Sequence, residues 1–324
     1  MNAATRLSLL CVLLVPTSGH SSSGHLERAS ISGTSYVRVE DWAHANNFQT
    51  RWAVPKQEFK LTGQSSLVFT VDSARMSFNG IHVWLSAPVA LREGAAWIPA
   101  VDLSSTLQPL LFPAKNFRGR AIRSIVLDPG HGGKDPGNFV GRQQEKQYTL
   151  LLAKELADLL NKAGFKASLT RTSDSFLDLP GRPDVARRRG ADLFISLHFN
   201  AFDSPSAQGI EVYCMTVPYT SSTNARGEGA GAGPYPGNRF DAKNVLLGYQ
   251  LQKNLLRSLA VEDRGLRRAR YAVLRSAEMP AVLIEGGFMT NPSEGRKIFD
   301  TKYRRQMAQA IVDGIKAYKE LVEQ

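Results

Sequence analysis

Residues 124–138 read SIVLDPGHGGKDPGN, and Glu145 follows shortly after them. The apolar run at residues 125–127 predicts a short buried strand, which the Asp-Pro-Gly that follows ends abruptly. His131 then lies on the loop that leaves the carboxyl end of this strand, and the two glycines after it permit close backbone approach. Ligands bind at this end of the strands in open α/β sheets. His131 is therefore a candidate ligand residue.

The same pattern of an apolar strand followed by a polar residue occurs twice more. Residues 192–197 (DLFISL) predict a second strand, which ends at His198. Residues 281–284 (AVLI) predict a third strand, which ends at Glu285. Each strand thus delivers one candidate ligand or acid to the same edge of the predicted sheet.

Glu145 begins a predicted helix that runs to Ala163. The apolar positions of this helix follow helical spacing: Tyr148, Leu152, Leu156, Leu159 and Ala163. Glu145 lies seven residues before Leu152 and shares its face. An unpaired carboxylate on a buried face is very costly, so a cation is the expected partner.

Two histidines and one carboxylate, with an open fourth position for water, form a known arrangement of catalytic zinc. His131 and His198 are the only histidines after residue 100. A single histidine at a strand end is more often an ordinary hydrogen-bonded residue, and Glu145 alone could compensate a helix dipole. The joint occurrence of the three residues favours a metal site.

The sequence also resembles a known family. The motifs that carry the resemblance are DPGHGGxDPG at residues 128–137, the glutamate at 145, TRTSD at 170–174, LPGR at 179–182, FISLHFNA at 194–201 and PAVLIEGGFMTN at 280–291. In this order, from about Arg123 to Leu321, they resemble the zinc-dependent N-acetylmuramoyl-L-alanine amidases of the Amidase_3 family. One departure is Gly181 before Arg182, where the family usually has a bulkier residue.

The resemblance implies an activity and a set of site residues. It implies one Zn²⁺ per chain, held by His131, Glu145 and His198, and a catalytic glutamate at Glu285. The implied reaction is hydrolysis of the amide bond between N-acetylmuramic acid and L-alanine in peptidoglycan. On the residues alone, Asp128 and Asn200 either orient the histidines or cap turns, and Arg275 meets either a substrate carboxylate or a structural ion-pair partner.

Strand and helix patterns alternate after residue 123, which predicts an α/β domain with a mostly parallel, twisted sheet flanked by helices. The further predicted elements are strands at residues 165–171, 209–214 and 271–274 and helices at residues 183–189, 241–260 and 303–321.

The chain divides into five predicted segments. They are a signal peptide at residues 1–19, a Ser/Gly-rich linker at 20–33, a small β-rich module at 34–113, a second linker at 114–122 and the catalytic domain at 123–322. The first segment has Arg6 before an apolar core that is too short to remain as a membrane anchor. We therefore expect an exported protein of the periplasm or cell surface, without membrane association once the signal is removed.

The β-rich module contains Asn79-Gly80 between two apolar runs, which is a strong hairpin signal. The module resembles, more weakly, the copper amine oxidase-like N-terminal domains, which implies a wall-binding or spacer role. No cluster of acids, histidines or nucleophiles occurs in its sequence. We therefore expect a chain that begins near Phe117 to keep its turnover of small substrates.

The formal net charge of +11 favours acidic partners. Peptidoglycan is the expected partner, and no nucleic-acid motif occurs in the sequence. Two alternatives remain at this point: a zinc peptidase that cuts within the stem peptide, and an inactive relative that only binds the cell wall. No His-Glu-x-x-His run supports the peptidase, and the presence of all four key residues opposes the inactive relative. The sequence leaves the oligomeric state open.

Overall fold

A computed structural model describes residues 26–117, 120–224, 229–231 and 233–323 of the chain. The predicted signal peptide lies outside these residues, as do residues 20–25 of the first predicted linker. None of the described helices combines the length and the apolar composition that a membrane-spanning helix requires.

The N-terminal part is mainly β-structure, as predicted. Its elements are β1 (Arg28–Ile31), β2 (Thr34–Arg38), α1 (Val39–Ala45), β3 (Gln49–Val54), β4 (Glu58–Thr62), β5 (Ser66–Thr70), β6 (Arg75–Phe78), β7 (Ile81–Trp84), β8 (Ala90–Arg92), β9 (Ala95–Pro99), α2 (Ala100–Asp102), a π-helical turn (Leu103–Leu107) and α3 (Gln108–Leu111). The strands form one four-stranded sheet, in the order β1-β2-β9-β8, and the antiparallel meander β3 to β7.

The predicted hairpin joins β6 to β7. Asn79 and Gly80 both have positive φ, at 49° and 85°, as a type I′ turn requires. The strands pair antiparallel from Phe78 opposite Ile81. The hairpin prediction is confirmed.

Strand β1 occupies residues 28–31, which the sequence analysis assigned to the first linker, so that assignment is wrong for these four residues. The strand pairs antiparallel with β2. Its Ala29 and Ile31 pack against a small cluster that contains Tyr36 and Trp97. The Ser/Gly-rich composition around β1 concealed this short alternation of apolar residues.

The predicted α/β domain follows. Its elements are β10 (Ser124–Pro129), β11 (Phe139–Val140), β12 (Gln143–Gln144), α4 (Glu145–Lys162), β13 (Lys166–Leu169), α5 (Gly181–Arg188), β14 (Leu193–Asn200), β15 (Ile210–Met215), a 3₁₀ turn (Pro236–Phe240), α6 (Asp241–Leu259), β16 (Asp263–Ala269), α7 (Ala272–Arg275), β17 (Ala281–Phe288), α8 (Pro292–Phe299) and α9 (Thr301–Glu323). The three long predicted helices correspond to α4, α6 and α9.

The sheet of this part has the strand order β13-β10-β14-β17-β15-β16. All neighbouring pairs are parallel except β15 with β17, which is antiparallel. Helices α4, α6 and α9 pack on one face, over Ile125 and Leu127, while α5 and α7 cover the other face, over Val126. The prediction of a mostly parallel sheet flanked by helices is confirmed, since both faces of these strands are buried.

The strand predicted at residues 271–274 is wrong. The strand is β16, at Asp263–Ala269, and residues 272–275 form the short helix α7 instead. Four consecutive apolar residues do not distinguish a strand from a buried helical turn. Strand β16 carries three arginines, of which Arg268 is buried, so its sequence lacks the expected apolar run.

The two parts share one sheet. Strand β7 pairs parallel with β16 through Val83 and Leu266, so the meander extends the sheet to eleven strands. Beside this pair, the His82 amide donates to Asp263 Oδ2 at 2.7 Å, and Trp84 Nε1 donates to the Arg264 carbonyl at 3.0 Å. The N-terminal part therefore covers an edge strand whose backbone groups would otherwise be unpaired.

Arg268 joins the two parts from the other side of the sheet. Its side chain is 2% exposed and donates to the Met215 carbonyl at 3.1 Å and to the Ser105 carbonyl at 2.7 Å. It also donates to Thr106 Oγ1, which in turn donates to the buried carboxylate of Asp102. The guanidinium thus satisfies acceptors that come from both parts of the chain.

We expect Arg268→Met to destabilise the whole chain. The methionine fills similar space, but the carbonyls of Met215 and Ser105 lose their donor, and each unpaired buried acceptor costs about 1–3 kcal/mol. Urea unfolding measures the change in the free energy of unfolding. The control is Arg51→Met on the exposed face of β3, which we expect to change stability by less than about 0.5 kcal/mol. Equal stability of the two variants would contradict this role of Arg268.

Candidate active site

Four of the predicted site residues meet near the carboxyl ends of β10, β14 and β17. His131 follows β10, while Glu145 is the first residue of α4. Strands β14 and β17 run further than predicted, to Asn200 and Phe288, so His198 and Glu285 lie inside strands rather than at their ends. The two residues are direct neighbours in the sheet, just before a bulge in the pairing.

His131, Glu145 and His198 form one compact cluster, in which the three ligand atoms lie within 4.8 Å of one another. Glu145 Oε1 lies 3.2 Å from His131 Nε2 and 3.0 Å from His198 Nδ1. The two rings meet edge to face, with their centroids 4.9 Å apart. Two nitrogen donors and one carboxylate oxygen thus converge on one point, which is a donor set suited to a divalent cation such as zinc.

The Glu145 carboxylate is only 1% exposed. Burial alone would raise its pKa, but the hydrogen bonds and charges of His131 and His198 outweigh burial and lower the pKa well below its usual range. Burial lowers the pKa of His131, whereas Glu145 and Asp135 raise it, and the net result is a raised pKa. The buried carboxylate therefore stays ionised beside groups that carry, or bind, positive charge.

The backbone of the loop that carries His131 packs closely against the rings of both histidines. His131 itself has a left-handed backbone, with φ of 62°. A Cβ atom at Gly130 would lie 2.2 Å from Cε1 of His198, and one at Gly137 would lie 2.6 Å from Cδ2 of His131. These two glycines let the histidines approach the Glu145 carboxylate.

Two residues that support the cluster were missed by the sequence analysis. Asp135 Oδ2 lies 2.9 Å from His131 Nδ1, and its other oxygen accepts from the Gly137 amide. Asn138 donates to Glu145 Oε2 from its amide at 3.0 Å and from its side chain at 2.9 Å. Both lie inside the quoted stretch of residues 124–138, and that position was the available signal. Such contacts fix the orientation of metal-binding side chains.

The Asp128 carboxylate is bound by other side chains and not by a histidine ring. It is fully buried and accepts hydrogen bonds from Arg182 Nη1 at 3.0 Å, Thr170 Oγ1 at 2.6 Å and Ser196 Oγ at 2.8 Å. Arg182 also donates to the His131 carbonyl at 2.9 Å. Asp128 therefore acts on the backbone of the His131 loop, through Arg182.

The other two predicted residues lie further out. Asn200 Nδ2 donates to Glu211 Oε1 at 3.0 Å, and its Oδ1 accepts from the Ala201 amide. Arg275 lies on α7 with its guanidinium 5.5 Å from the ring centre of Tyr235, and it does not line the site cavity. The strand that was predicted to place Arg275 at this edge does not exist.

Glu285 is partly exposed, but its Oε2 atom is buried and has no hydrogen-bond partner among the described residues. Burial raises the pKa of this carboxyl well above its usual value, and the nearby carboxylates of Glu145 and Glu211 raise it further. A buried polar atom without a partner is rare in proteins and is typical of functional sites.

Glu285 and the three-residue cluster line one cavity of about 280 Å³, whose other walls include Leu179, Tyr271 and Val273. A larger cavity of about 630 Å³ lies near Ile122 and Asp192, at the amino ends of β10 and β14. None of the predicted site residues lines the larger cavity. The smaller cavity is the candidate active site, because the convergent polar groups lie there.

Residues 125–317 match the protein family described as N-acetylmuramoyl-L-alanine amidase (Amidase_3). The match covers more than half of the 324 residues. The chain belongs to this amidase family. The family match begins at β10 and thus leaves out the N-terminal strands.

Two curated proteins of the family illustrate the similarity. The chain is similar to the N-acetylmuramoyl-L-alanine amidase AmiC of Neisseria meningitidis serogroup B, with 35% identity over 243 residues, which are 68% of this chain and 58% of the relative. It is also similar to AmiA of Salmonella typhimurium, with 36% identity over 221 residues, or 60% of this chain and 76% of the relative. The chain thus spans less than two thirds of the length of the Neisseria relative.

Solved amidase structures share the fold of the second part. The N-acetylmuramoyl-L-alanine amidase from Clostridium difficile 630 is 32% identical, with a TM-score of 0.52, and the match covers 62% of this chain and 98% of that one. AmiC2 of Nostoc punctiforme is 33% identical, with a TM-score of 0.51, and the match covers 61% and 97% of the two chains. Almost the whole of each amidase structure corresponds to part of this chain.

We expect Asp135→Ala to weaken the binding of a divalent metal about 10- to 100-fold, because the His131 ring loses the carboxylate that fixes its orientation. Competition with a chelating dye measures the affinity. The matched control is Asp158→Ala, which removes an exposed carboxylate of α4 that pairs with Lys162. A metal affinity that Asp135→Ala leaves unchanged would show that Asp135 does not support the cluster.

Proposed function

We propose that the protein is a zinc-dependent amidase that hydrolyses the amide bond between N-acetylmuramic acid and L-alanine in peptidoglycan. One observation carries the proposal: the ligand atoms of His131, Glu145 and His198 converge beside the buried, unpartnered oxygen of Glu285. Membership of the amidase family supports the choice of this bond.

The residues fit Zn²⁺. Two imidazole nitrogens and one carboxylate form a donor set that catalytic zinc uses, with a further position for water or substrate. Bound Zn²⁺ lowers the pKa of water and polarises a carbonyl oxygen. In this assignment His131, Glu145 and His198 hold the metal, Asp135 orients the His131 ring, and Asn138 fixes the Glu145 carboxylate.

Glu285 acts as the general base and then as the general acid. Its free Oε2 accepts the proton of the attacking water and then delivers that proton to the leaving nitrogen of the amide. The neighbouring Gly286 and Gly287 carry no side chains beside this carboxylate. The cavity of about 280 Å³ admits only part of a glycopeptide, so the rest of the substrate lies along the surface around it.

The partner and the location follow from the same assignment. We propose that the protein is exported and that peptidoglycan is its substrate and binding partner. The net charge of +11 concentrates acidic wall polymers near the protein.

Two experiments separate this function from its alternatives. Product analysis of digested wall fragments distinguishes the amidase from a stem-peptide peptidase, because only the amidase frees the lactyl group of muramic acid. A zymogram with and without a chelator distinguishes both enzymes from an inactive wall-binding protein.

We expect His198→Ala to lose most of the zinc, whereas the wild-type protein binds close to one zinc ion per chain. Removal of one of three protein ligands leaves too few donors for a stable site. Metal analysis of the purified protein measures the zinc content, and His44→Ala, an exposed histidine of α1, is the control. Full zinc retention in His198→Ala would exclude this histidine from the site.

We expect Glu285→Gln to separate metal binding from catalysis. Glutamine keeps the size of the side chain but cannot accept the proton, so zinc content and folding stay normal while turnover falls about 10²- to 10⁴-fold. Turnover of a soluble muropeptide and zinc content are measured on the same preparation. Glu320→Gln, on an exposed position of α9, serves as the control. Near-normal turnover in Glu285→Gln would end the assignment of a general base.

A further inference from the structure

Glu285 has His198 as its neighbour on strand β14 and Glu211 as its neighbour on strand β15, on the opposite side. Glu211 lies directly opposite Glu285 in the antiparallel pair of β15 and β17. Side chains at such positions have their Cβ atoms about 4.5–5.5 Å apart, and like charges there repel each other. The carboxylate of Glu211 is 2% exposed. Its position and its charge therefore bear directly on Glu285.

Four donors fix the Glu211 carboxylate. Arg267 Nη1 and Arg264 Nε bind Oε2 at 2.8 and 3.0 Å. Asn200 Nδ2 and the Tyr213 hydroxyl bind Oε1 at 3.0 and 2.8 Å. The two arginines compensate the charge of Glu211, and the four contacts leave the side chain one orientation.

Arg267 is itself held by a residue from the N-terminal part. Its guanidinium lies 4.5 Å from the ring centre of Trp84 on β7, and it faces the ring of Tyr213 at 5.7 Å. The same indole donates from Nε1 to the Arg264 carbonyl at 3.0 Å. Trp84 thus contacts both arginines that bind Glu211. A guanidinium between two aromatic rings loses much of its freedom to swing away.

We propose that Trp84 is a positioning residue for the amidase reaction: it holds Arg267 and Arg264, which fix Glu211 and so keep Glu285 in place. This inference rests on the proposed function only for its kinetic consequence. It extends the active site beyond the family match, which begins at residue 125. It also revises the expectation that a chain beginning near Phe117 keeps its turnover of small substrates, because such a chain lacks β7.

Trp84 variants of the full-length chain test the proposal with a soluble muropeptide. We expect Trp84→Ala to lower kcat about tenfold, within the range of up to about 10² that a small misplacement costs. The KM and the zinc content stay unchanged, because Trp84 contacts neither substrate nor metal ligands. Trp84→Phe keeps an aromatic face for Arg267 and restores most of the rate. Trp52→Ala, a half-buried tryptophan of β3 that packs on Phe59, is the matched control.

A double-mutant cycle shows whether Trp84 acts through Glu211. Residues that act through one another give non-additive effects, so Trp84→Ala should cost little further rate in a Glu211→Gln background. Wild-type kcat in Trp84→Ala, the same loss in Trp52→Ala, or full additivity with Glu211→Gln would each overturn the proposal. If Trp84→Ala does not fold, Trp84→Leu replaces it, because leucine keeps apolar volume at the strand pair without an aromatic face.

Hydrogen exchange provides a readout that does not depend on turnover. We expect the amides of residues 283–286 on β17 to exchange faster in Trp84→Ala than in Trp84→Phe or Trp52→Ala. Unchanged exchange in Trp84→Ala would contradict the positioning role even in a protein without amidase activity. The two proposals can also fail separately. If the wild-type protein shows no turnover but Trp84→Ala still exchanges faster than its controls, the positioning role stands and the proposed function is rejected.

Discussion

The site depends on one ionised carboxylate placed where water cannot reach it. Glu145 is 1% exposed, and the nitrogen atoms of His131, His198, Phe199 and Asn138 surround its two oxygens. An ionised carboxylate without these partners would be too costly to bury. The surrounding architecture supplies them: α4 starts at Glu145, β14 brings His198 and Phe199 together, and the glycines of the DPGHGG loop bring His131 close.

Two buried arginines, Arg171 and Arg182, stabilise the loop that carries His131. Arg182 is 2% exposed and forms a buried ion pair with Asp128 at 3.0 Å. Arg171 donates from Nε to the Pro129 carbonyl at 3.0 Å and from Nη2 to the Gly130 carbonyl at 2.9 Å. The two guanidinium groups thus donate hydrogen bonds to three consecutive backbone carbonyls of this loop, those of residues 129–131. Buried arginines of this kind orient a site, even though a buried ion pair adds little net stability.

Local patterns explain why the sequence predicted most of this arrangement. His131, His198 and Glu285 each follow an apolar run, and Glu145 shares the apolar face of the helix that it begins. Such periodic patterns predict the positions of these residues without knowledge of the tertiary structure. Asp135 was missed because sequence does not show which of several polar residues in a tight loop turns toward the histidine. Arg275 was misplaced because its apolar run forms a helical turn. Glu211 has no local signal, since its partners Arg264 and Arg267 lie more than fifty residues away.

Three carboxylates lie near one another across this sheet, and their hydrogen bonds separate their roles. Glu145 is satisfied by imidazoles and amides, which give it the fixed geometry that its proposed role as a metal ligand requires. Glu211 is satisfied by two arginines, an amide and a hydroxyl, and has no capacity left for substrate. Glu285 alone keeps a buried oxygen without a partner, and it faces the cavity. A proton acceptor must have a free lone pair within reach of the substrate. Of the three, only Glu285 meets that requirement, because its neighbours on either side are already bound.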